Sequence, residues 1–410
     1  MIVLAVNCGS SSVKCRVFDV AGDAGAAGAR LFAEGSVEGI AGERVLRLRT
    51  EAGARRQEIG DDDGMAGVAP LLQALTSAPG LARIEAVGHR IVHGGARLRE
   101  SALIDGAVLQ AIEDVDELAP LHNRASLDGV RAARAVLGPE VPMVAVFDTA
   151  FHAALPDRAW RYAIPEELAQ RNGVRRFGFH GLSYQWALGR FCALTVTAPE
   201  QARIVALHLG NGCSAAAIEG GRSVDTSMGF TPLEGLVMGT RAGDLDPALV
   251  GYLVKREGVP TDTVEDWLNK RSGLLGVSGL SPDMRTLLAR QADHAGARRA
   301  IELFCYRARK YVGAYLAALG GAQAVVFTGA IGANSPEIRR LICDGLQWSG
   351  LHIDAALNAR ATGVEGRISE GGAALAAWAI PSDEEQVIAC ETMRACGRAA
   401  GPASHGETDA

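Results

Sequence analysis

The sequence predicts an α/β protein with two similar halves, and three observations carry that expectation. Its 410 residues exceed what one hydrophobic core usually holds, so two or three domains are expected. Short apolar runs of strand length alternate with longer helical patterns, as layered α/β folds require. One arrangement also occurs twice. VLAVNCGSSSVK, from Val3, and ALHLGNGCSAAAI, from Ala206, each read as an apolar strand, a small polar turn and a second strand.

In chain order, Ile2–Val6 reads as a buried strand, Asn7–Ser12 as a turn and Val13–Asp19 as the return strand. Edge-like strands are expected near Arg30–Val37 and Arg44–Thr50. Met65–Leu75 has helical spacing, with Asp61, Asp62 and Asp63 near its positive end. Ala86–Val92 is a strand that ends in His93-Gly94-Gly95. Helices fit Leu103–Leu118 and Ser126–Leu137, separated by Ala119-Pro120-Leu121-His122-Asn123, and Val141–Phe147 is a buried strand ending at Asp148.

The pattern then restarts with strands at Arg203–Leu209 and Ala215–Ile218. Helices follow at Pro247–Arg256, Val264–Asn269, Met284–Ala292 and Gly296–Leu319. Strand Ala324–Phe327 leads through Thr328–Gly332 into a helix around Pro336–Leu346. Gly371–Ala379 and Glu384–Cys396 read as helices, and Gly397–Ala410 as a frayed, flexible tail. The expected division is a first domain over 1–150, a second over 151–383, and the 384–396 helix packed on the first.

Composition narrows the class. A net charge of −6 argues against a general nucleic-acid binder, which would show a basic face. The hydrophobic share of 48% and charged share of 21% are globular values. No Cys-x-x-Cys pair or clustered His/Cys spacing resembles a zinc site, so the cysteines read as small, reduced, buried residues. No apolar run reaches the roughly 18 residues of a membrane span. The N-terminal run is too short for a signal peptide, and a soluble cytoplasmic protein is expected.

Asp225–Pro247 has too many glycines for a helix or strand, yet carries Met228, Phe230, Pro232, Leu233, Leu236, Val237 and Met238. Such a loop is packed and functional more often than dangling. It presents Arg241, whose planar fork suits phosphate or carboxylate. The first turn, Asn7 to Lys14, gathers backbone N–H groups, three serines and an ammonium, and suits an anion. It lacks the spacing of a Walker loop. His208-Leu209-Gly210-Asn211-Gly212 and Thr328-Gly329-Ala330-Ile331-Gly332 are further turns at strand ends, able to cradle a nucleotide. Arg90, Asp148 and His180 stand beside strand ends or glycine turns, where open α/β sheets place ligands. Their ordinary readings are a surface ion pair, a helix cap and a hydrogen-bonded loop histidine. Glu384 stabilises a first helical turn by default, and could also serve a Mg²⁺ held by few carboxylates. His89, His93, His122 and His152 read as positioning or core residues.

Together these motifs resemble the acetate kinase family from the first strand to about Ala389. The carriers are NCGSSSVK, GHRIVHGG, APLHN, FDTAFH, RRFGFHGLSY, HLGNGCS, DTSMGFTPLEGLVMGTRAGDLDP, FTGAIGANS and PSDEE. The family lies in the acetate and sugar kinase, chaperone ATPase and actin superfamily. The resemblance therefore implies two duplicated actin-like, ribonuclease H-like domains facing a nucleotide cleft. It implies reversible phosphorylation of acetate by ATP, with Mg²⁺ or Mn²⁺ as cofactor, and a homodimer formed through the second domain. Asn7 and Glu384 would serve the metal, and Lys14 the nucleotide. Arg90 would take the acetate carboxylate, with Val92, Leu121, Phe179 and Pro232 around its methyl group. His180 and Arg241 would stabilise the phosphoryl group in flight. His208, Leu209, Gly210, Asn211 and Gly212 would line the ATP site, with Asp283, Met284 and Arg285, and with Ile331, Gly332, Ala333, Asn334 and Ser335.

Asp148 is the family's assigned proton donor or acceptor. Acetate is ionised near neutral pH and needs no base to become a nucleophile, so Asp148 is expected instead to orient the metal or Arg241. Val92 leaves little room beyond a methyl group, so propionate is the expected weaker substrate. A butyrate kinase would want a roomier pocket, and an actin-like or chaperone-like ATPase would need no small-carboxylate site. Cys8 stands where the family often has alanine.

Overall fold

A computed structural model describes residues 1–8, 12–21, 28–38, 44–51, 53–59, 68–77, 83–118 and 120–400. Gly9–Ser11 of the first turn, Asp61–Asp63 and residues 401–410 lie outside the described residues. The chain forms two compact units, one of Met1–Ala150 with the segment from Glu384 onward, the other of Phe151–Asp383.

The first unit is built on an eight-stranded sheet. Its strands are β1 (Ile2–Cys8), β2 (Ser12–Val20), β3 (Ala29–Glu38), β4 (Arg44–Thr50), β5 (Gly53–Ile59), β6 (Ala86–Ile91), β7 (Ala102–Leu103) and β8 (Met143–Phe147). Their order is β5-β4-β3-β2-β1-β6-β8-β7. The parallel centre, β1 beside β6 and β6 beside β8, is buried on both faces, as parallel strands usually are. Val87 packs into the core shared with helices Val68–Thr76 and Pro120–Leu137. Its neighbour Gly88 faces the opposite way, against Ile388 and Thr392 of helix Glu384–Ala400. That helix fits only because position 88 has no side chain: a Cβ there would stand 2.0 Å from Thr392 Oγ1.

The second unit carries a six-stranded sheet. Here β9 (Arg203–Leu209), β10 (Cys213–Glu219), β11 (Arg222–Thr226), β12 (Ala324–Thr328), β13 (Gly366–Arg367) and β14 (Ala376–Ala379) are ordered β11-β10-β9-β12-β14-β13. This order repeats β3-β2-β1-β6-β8-β7 with the same pairing senses: two antiparallel pairs, two parallel, one antiparallel. Val3 pairs with Ala86 and Ile204 with Ala324, so Asn7 and His208 occupy equivalent positions four residues further on. The repeated strand-turn-strand is thus one corner of a duplicated sheet, and the two-half α/β expectation holds.

Several boundaries differ from expectation. Gly371–Ala379 is not a helix. Its alanines favour one, but Ala376–Ala379 pairs with β12 as β14, and tertiary pairing overrides propensity. The Leu103–Leu118 helix contracts to Gly106–Glu113 with a short turn at Asp116–Leu118. The next helix begins at Pro120, because proline is tolerated in a first turn that has no amide partner to lose. The final helix runs to Ala400, so the tail does not begin at Gly397. β5 and β11 were not foreseen. Among the described residues no helix is long and apolar enough to cross a membrane.

Candidate active site

In the first unit the parallel strands end on one polar cluster. Arg90 is the penultimate residue of β6, and its guanidinium donates to both oxygens of Asp148, Nε to Oδ1 at 3.0 Å and Nη2 to Oδ2 at 2.6 Å. Its Nη1 donates to Asn7 Oδ1 at 3.1 Å and lies 3.8 Å from Glu384 Oε2. Asn7 Nδ2 reaches Glu384 and Glu385, at 3.4 and 3.0 Å. Asp148 is 1% exposed, just beyond β8, and its backbone N–H donates to Ile91. Thus Asn7, Arg90, Asp148 and Glu384 are brought together, and the group Asp148 orients in this unit is Arg90. Val92 is buried one residue past β6. Asn123 grips the next residue, accepting from His93 N–H and donating to its carbonyl. Lys14 pairs with Asn7 across β1 and β2, with an exposed side chain. Leu121 lies in the first turn of its helix, with its side chain outside the described residues.

Burial raises the Glu384 carboxyl to about 7, against the opposing pull of Arg90; Asp148 and Glu385 push it the same way as burial. Three carboxylates, Asp148, Glu384 and Glu385, therefore meet three cations, Arg90, Lys14 and Arg16, whose Nη1 lies 3.8 Å from Glu385 Oε2. Glu384 and the Asn7 side-chain oxygen supply the hard oxygen donors that a divalent ion bound through one carboxylate and waters would use. No cluster of three or more His, Cys, Asp or Glu able to enclose a metal occurs among the described residues.

In the second unit, strand β9 ends at the Gly210–Gly212 turn. Gly329 (φ +75°) presses onto it, where a Cβ would meet the Leu209 carbonyl at 2.6 Å. This contact brings Ile331, Gly332, Ala333 and Asn334, in helix Gly329–Asn334, beside His208–Gly212. Ser335 caps the following helix. Loop 227–247 has neither helix nor strand and folds back so that Gly239 N–H donates to the Asn211 carbonyl. Its ends are clamped. Glu234 takes Arg176 at 2.6 Å and the Tyr162 hydroxyl, while Asp244 takes Gly235 N–H and Tyr311 at 2.8 Å each. Between the clamps Arg241 donates to the Pro232 carbonyl at 2.6 Å. Arg241 has no carboxylate within ion-pair distance among the described residues, and burial pulls its pKa down. A Cβ on Gly212 would lie 2.8 Å from Arg241 Nη2 and 3.3 Å from His180 Nε2, so both nitrogens border one face of that glycine.

His180 has left-handed backbone (φ 58°), unusual for a residue with a side chain. It caps helix Gly181–Thr195, and the buried Phe179 precedes it. Its ring stacks on His208, centroids 4.1 Å apart. Asp283 caps its own helix and pairs with an exposed Arg285, while Met284 is buried; no hydrogen bond or ion pair joins Asp283 or Arg285 to the turn at Gly210.

Comparison with known proteins fits this geometry. A family model for the acetokinase family matches residues 2–390. The acetate kinase of Solibacter usitatus is 48% identical over 406 residues, 96% of this chain and 98% of that one. The solved acetate kinase of Porphyromonas gingivalis is 38% identical with a TM-score of 0.86, over 96% of this chain and 99% of that one. A propionate kinase from Francisella tularensis is 36% identical with a TM-score of 0.88, over the same shares.

The chain belongs to the acetokinase family. It is a phosphotransferase with a carboxyl group as acceptor.

Within this acetokinase, reasoning from sequence missed the residues that hold the reactive ones. Glu385, Glu234 and Tyr162 carry no spacing signal, because their partners lie far along the chain. Arg339 is fully buried with no acid partner among the described residues, and five bonds to Gly332, Ala333, Asn358 and Ala361 staple the 329–334 helix. His89 is a core histidine, held near pKa 3 by burial, with neither ring nitrogen bonded. Cys8 packs on Gly129, and burial raises its thiol to about 12, so it is inert near neutral pH.

The Glu384 shift fixes a sign. A carboxyl with a folded pKa near 7 and an ordinary value of 4.5 contributes stability that is full below about 4.5 and is lost as pH rises through 7. Denaturation of metal-free protein is expected to show that decline between about pH 4.5 and 7, on the order of 1–3 kcal/mol, and Glu384→Gln to flatten it. An unchanged slope in the variant would remove Glu384 as its source.

Proposed function

We propose that the protein transfers the γ-phosphoryl group of ATP directly and in line to acetate, reversibly and with Mg²⁺, giving acetyl phosphate and ADP. The observation that carries this is Arg241, a partly buried guanidinium with no acid partner beside the His180 ring. Phosphoryl transfer needs alignment and neutralisation of charge on the equatorial oxygens, and an unpaired desolvated cation suits that. Arg90 binds the acetate carboxylate through the N–H groups that Asp148 leaves, since Nε and one Nη2 hydrogen are taken. Asp148 holds that guanidinium plane fixed. Val92, Leu121, Phe179 and Pro232 are the apolar residues assigned to the methyl group in this reading, and Lys14 is assigned to the nucleotide. His208–Gly212 and Ile331–Ser335 take the phosphates and adenosine, with Asp283, Met284 and Arg285 at the base. Asn7 and Glu384 would hold the Mg²⁺, which when bound neutralises phosphate charge.

A homodimer through the second unit is supported by helix Ala248–Glu257, which buries none of its residues and exposes Tyr252 and Leu249. All eight cysteines are free, as the reducing cytoplasm would keep them. Propionate is the second reading, favoured by the likeness to the propionate kinase above.

Hydroxylamine trapping of acyl phosphate tests the proposal with acetate, propionate and butyrate. Acetate is expected to give the highest kcat/KM, with propionate lower by about 10–200-fold, the worth of one methylene. A higher value for propionate makes the protein a propionate kinase, and no acyl phosphate from any acid rejects the reading. Asp148→Asn is expected to lower kcat/KM for acetate by at least about tenfold, as loss of an orienting partner does, with the Mg²⁺ dependence unchanged. A weakened Mg²⁺ dependence would return Asp148 to the metal.

A further inference from the structure

His180 is held by a short buried chain of hydroxyls. Its Nδ1 lies 2.8 Å from Ser214 Oγ, and Ser214 Oγ lies 2.5 Å from the Tyr184 hydroxyl. Ser214 and Tyr184 are both fully buried. Tyr184 stands one turn along the helix that His180 caps, and Ser214 lies on β10, paired with His208. The backbone at His180 is fixed separately. His152 Nε2 bonds the Phe179 carbonyl at 3.1 Å and Nδ1 bonds Ser223 at 2.8 Å, while the same ring packs against Gly178.

Proton counting decides the direction of the chain. Tyr184 and Ser214 each have one hydroxyl proton, and both side chains are buried from bulk solvent. If His180 Nδ1 donated to Ser214, two bonds would have three protons, and either the serine or the phenol proton would have no acceptor. An unsatisfied buried donor is costly. If Tyr184 donates to Ser214 and Ser214 donates to Nδ1, every proton is used. The phenol oxygen also accepts from the His208 backbone, and burial keeps the phenol protonated. Nδ1 is then a bare acceptor and the ring proton sits on Nε2. The charged and titratable neighbours agree. The Arg241 guanidinium borders the same face of Gly212, the His208 ring stacks face-on, and the Cys213 thiol is held neutral by burial.

We propose that Tyr184 and Ser214 are positioning residues that hold His180 as a neutral imidazole protonated on Nε2. The ring then meets the phosphoryl oxygens as a fixed hydrogen-bond donor beside Arg241, and it neither gains nor gives up a proton. This rests on the phosphoryl-transfer reading above. It also gives the duplicated sheet a division of labour: the paired position in the first unit bears Lys14 opposite Asn7, whereas Ser214 opposite His208 serves a neighbouring ring.

The test reads the tautomer itself, in full-length protein with ¹⁵N-labelled histidine and His180→Gln as the assignment control. His180 is expected to be neutral at pH 7, with Nε2 protonated and Nδ1 bare. Ser214→Ala is expected to mix the tautomers and lower kcat on the order of tenfold, with KM for acetate within about twofold. Ser214→Thr, which keeps the hydroxyl, restores both. Tyr184→Phe moves both readouts in the same direction by less, and carries the test if Ser214→Ala does not fold. A ring protonated on Nδ1, or on both nitrogens, overturns the proposal. So does a Ser214→Ala enzyme, or in its place a Tyr184→Phe enzyme, with the wild-type tautomer or kcat. The tautomer is read without substrate, so absence of acyl phosphate formation by the wild type would reject the kinase reading separately.

Discussion

Asp148 commits both carboxylate oxygens to Arg90 in a setting almost free of water, and the first unit's chemistry depends on that commitment. A buried pair of this kind is costly to desolvate and survives only with good two-point geometry. Its two bonds, with Asn7 on the remaining nitrogen, leave the guanidinium little freedom. The three partners come from the ends of β1 and β6 and from just beyond β8, so the parallel centre of the sheet sets their spacing.

The second unit handles its cation in the opposite way. Arg241 has a carbonyl where Arg90 has a carboxylate, and burial without an acid leaves a site that favours an incoming anion. Holding such a charge in place takes scaffolding. Glu234 and Asp244 satisfy other groups at either end of the loop and fix it without neutralising Arg241. The glycines matter for the same reason. At Gly239 and Gly212 any side chain would fill the space that Asn211 and the Arg241 fork occupy.

Much of this was legible in the sequence, where the signal was local. β1, β9 and β12 were readable as apolar strands and β6 as a strand ending in a His-Gly-Gly turn, and the repeated strand-turn-strand foretold the duplicated sheet. Loop 227–247 announced itself through glycines interleaved with apolar residues. Arg90, Asp148, His180 and Arg241 were named from motifs. Glu234, Tyr162 and Glu385 were not, because Glu234 meets a residue 58 positions away and Glu385 meets one 378 away, distances at which no periodicity survives. β14 failed for a related reason: four residues rich in alanine look helical until β12 supplies their hydrogen bonds.

In the proposed function the bound carboxylate attacks the γ-phosphorus directly, with no phosphorylated side chain in between. The stereochemical course at phosphorus tests this. With ATP made chiral at its γ-phosphorus by oxygen isotopes, a single in-line displacement predicts inversion in the acetyl phosphate formed. Retention would mean that the group paused on the protein, and would contradict the account.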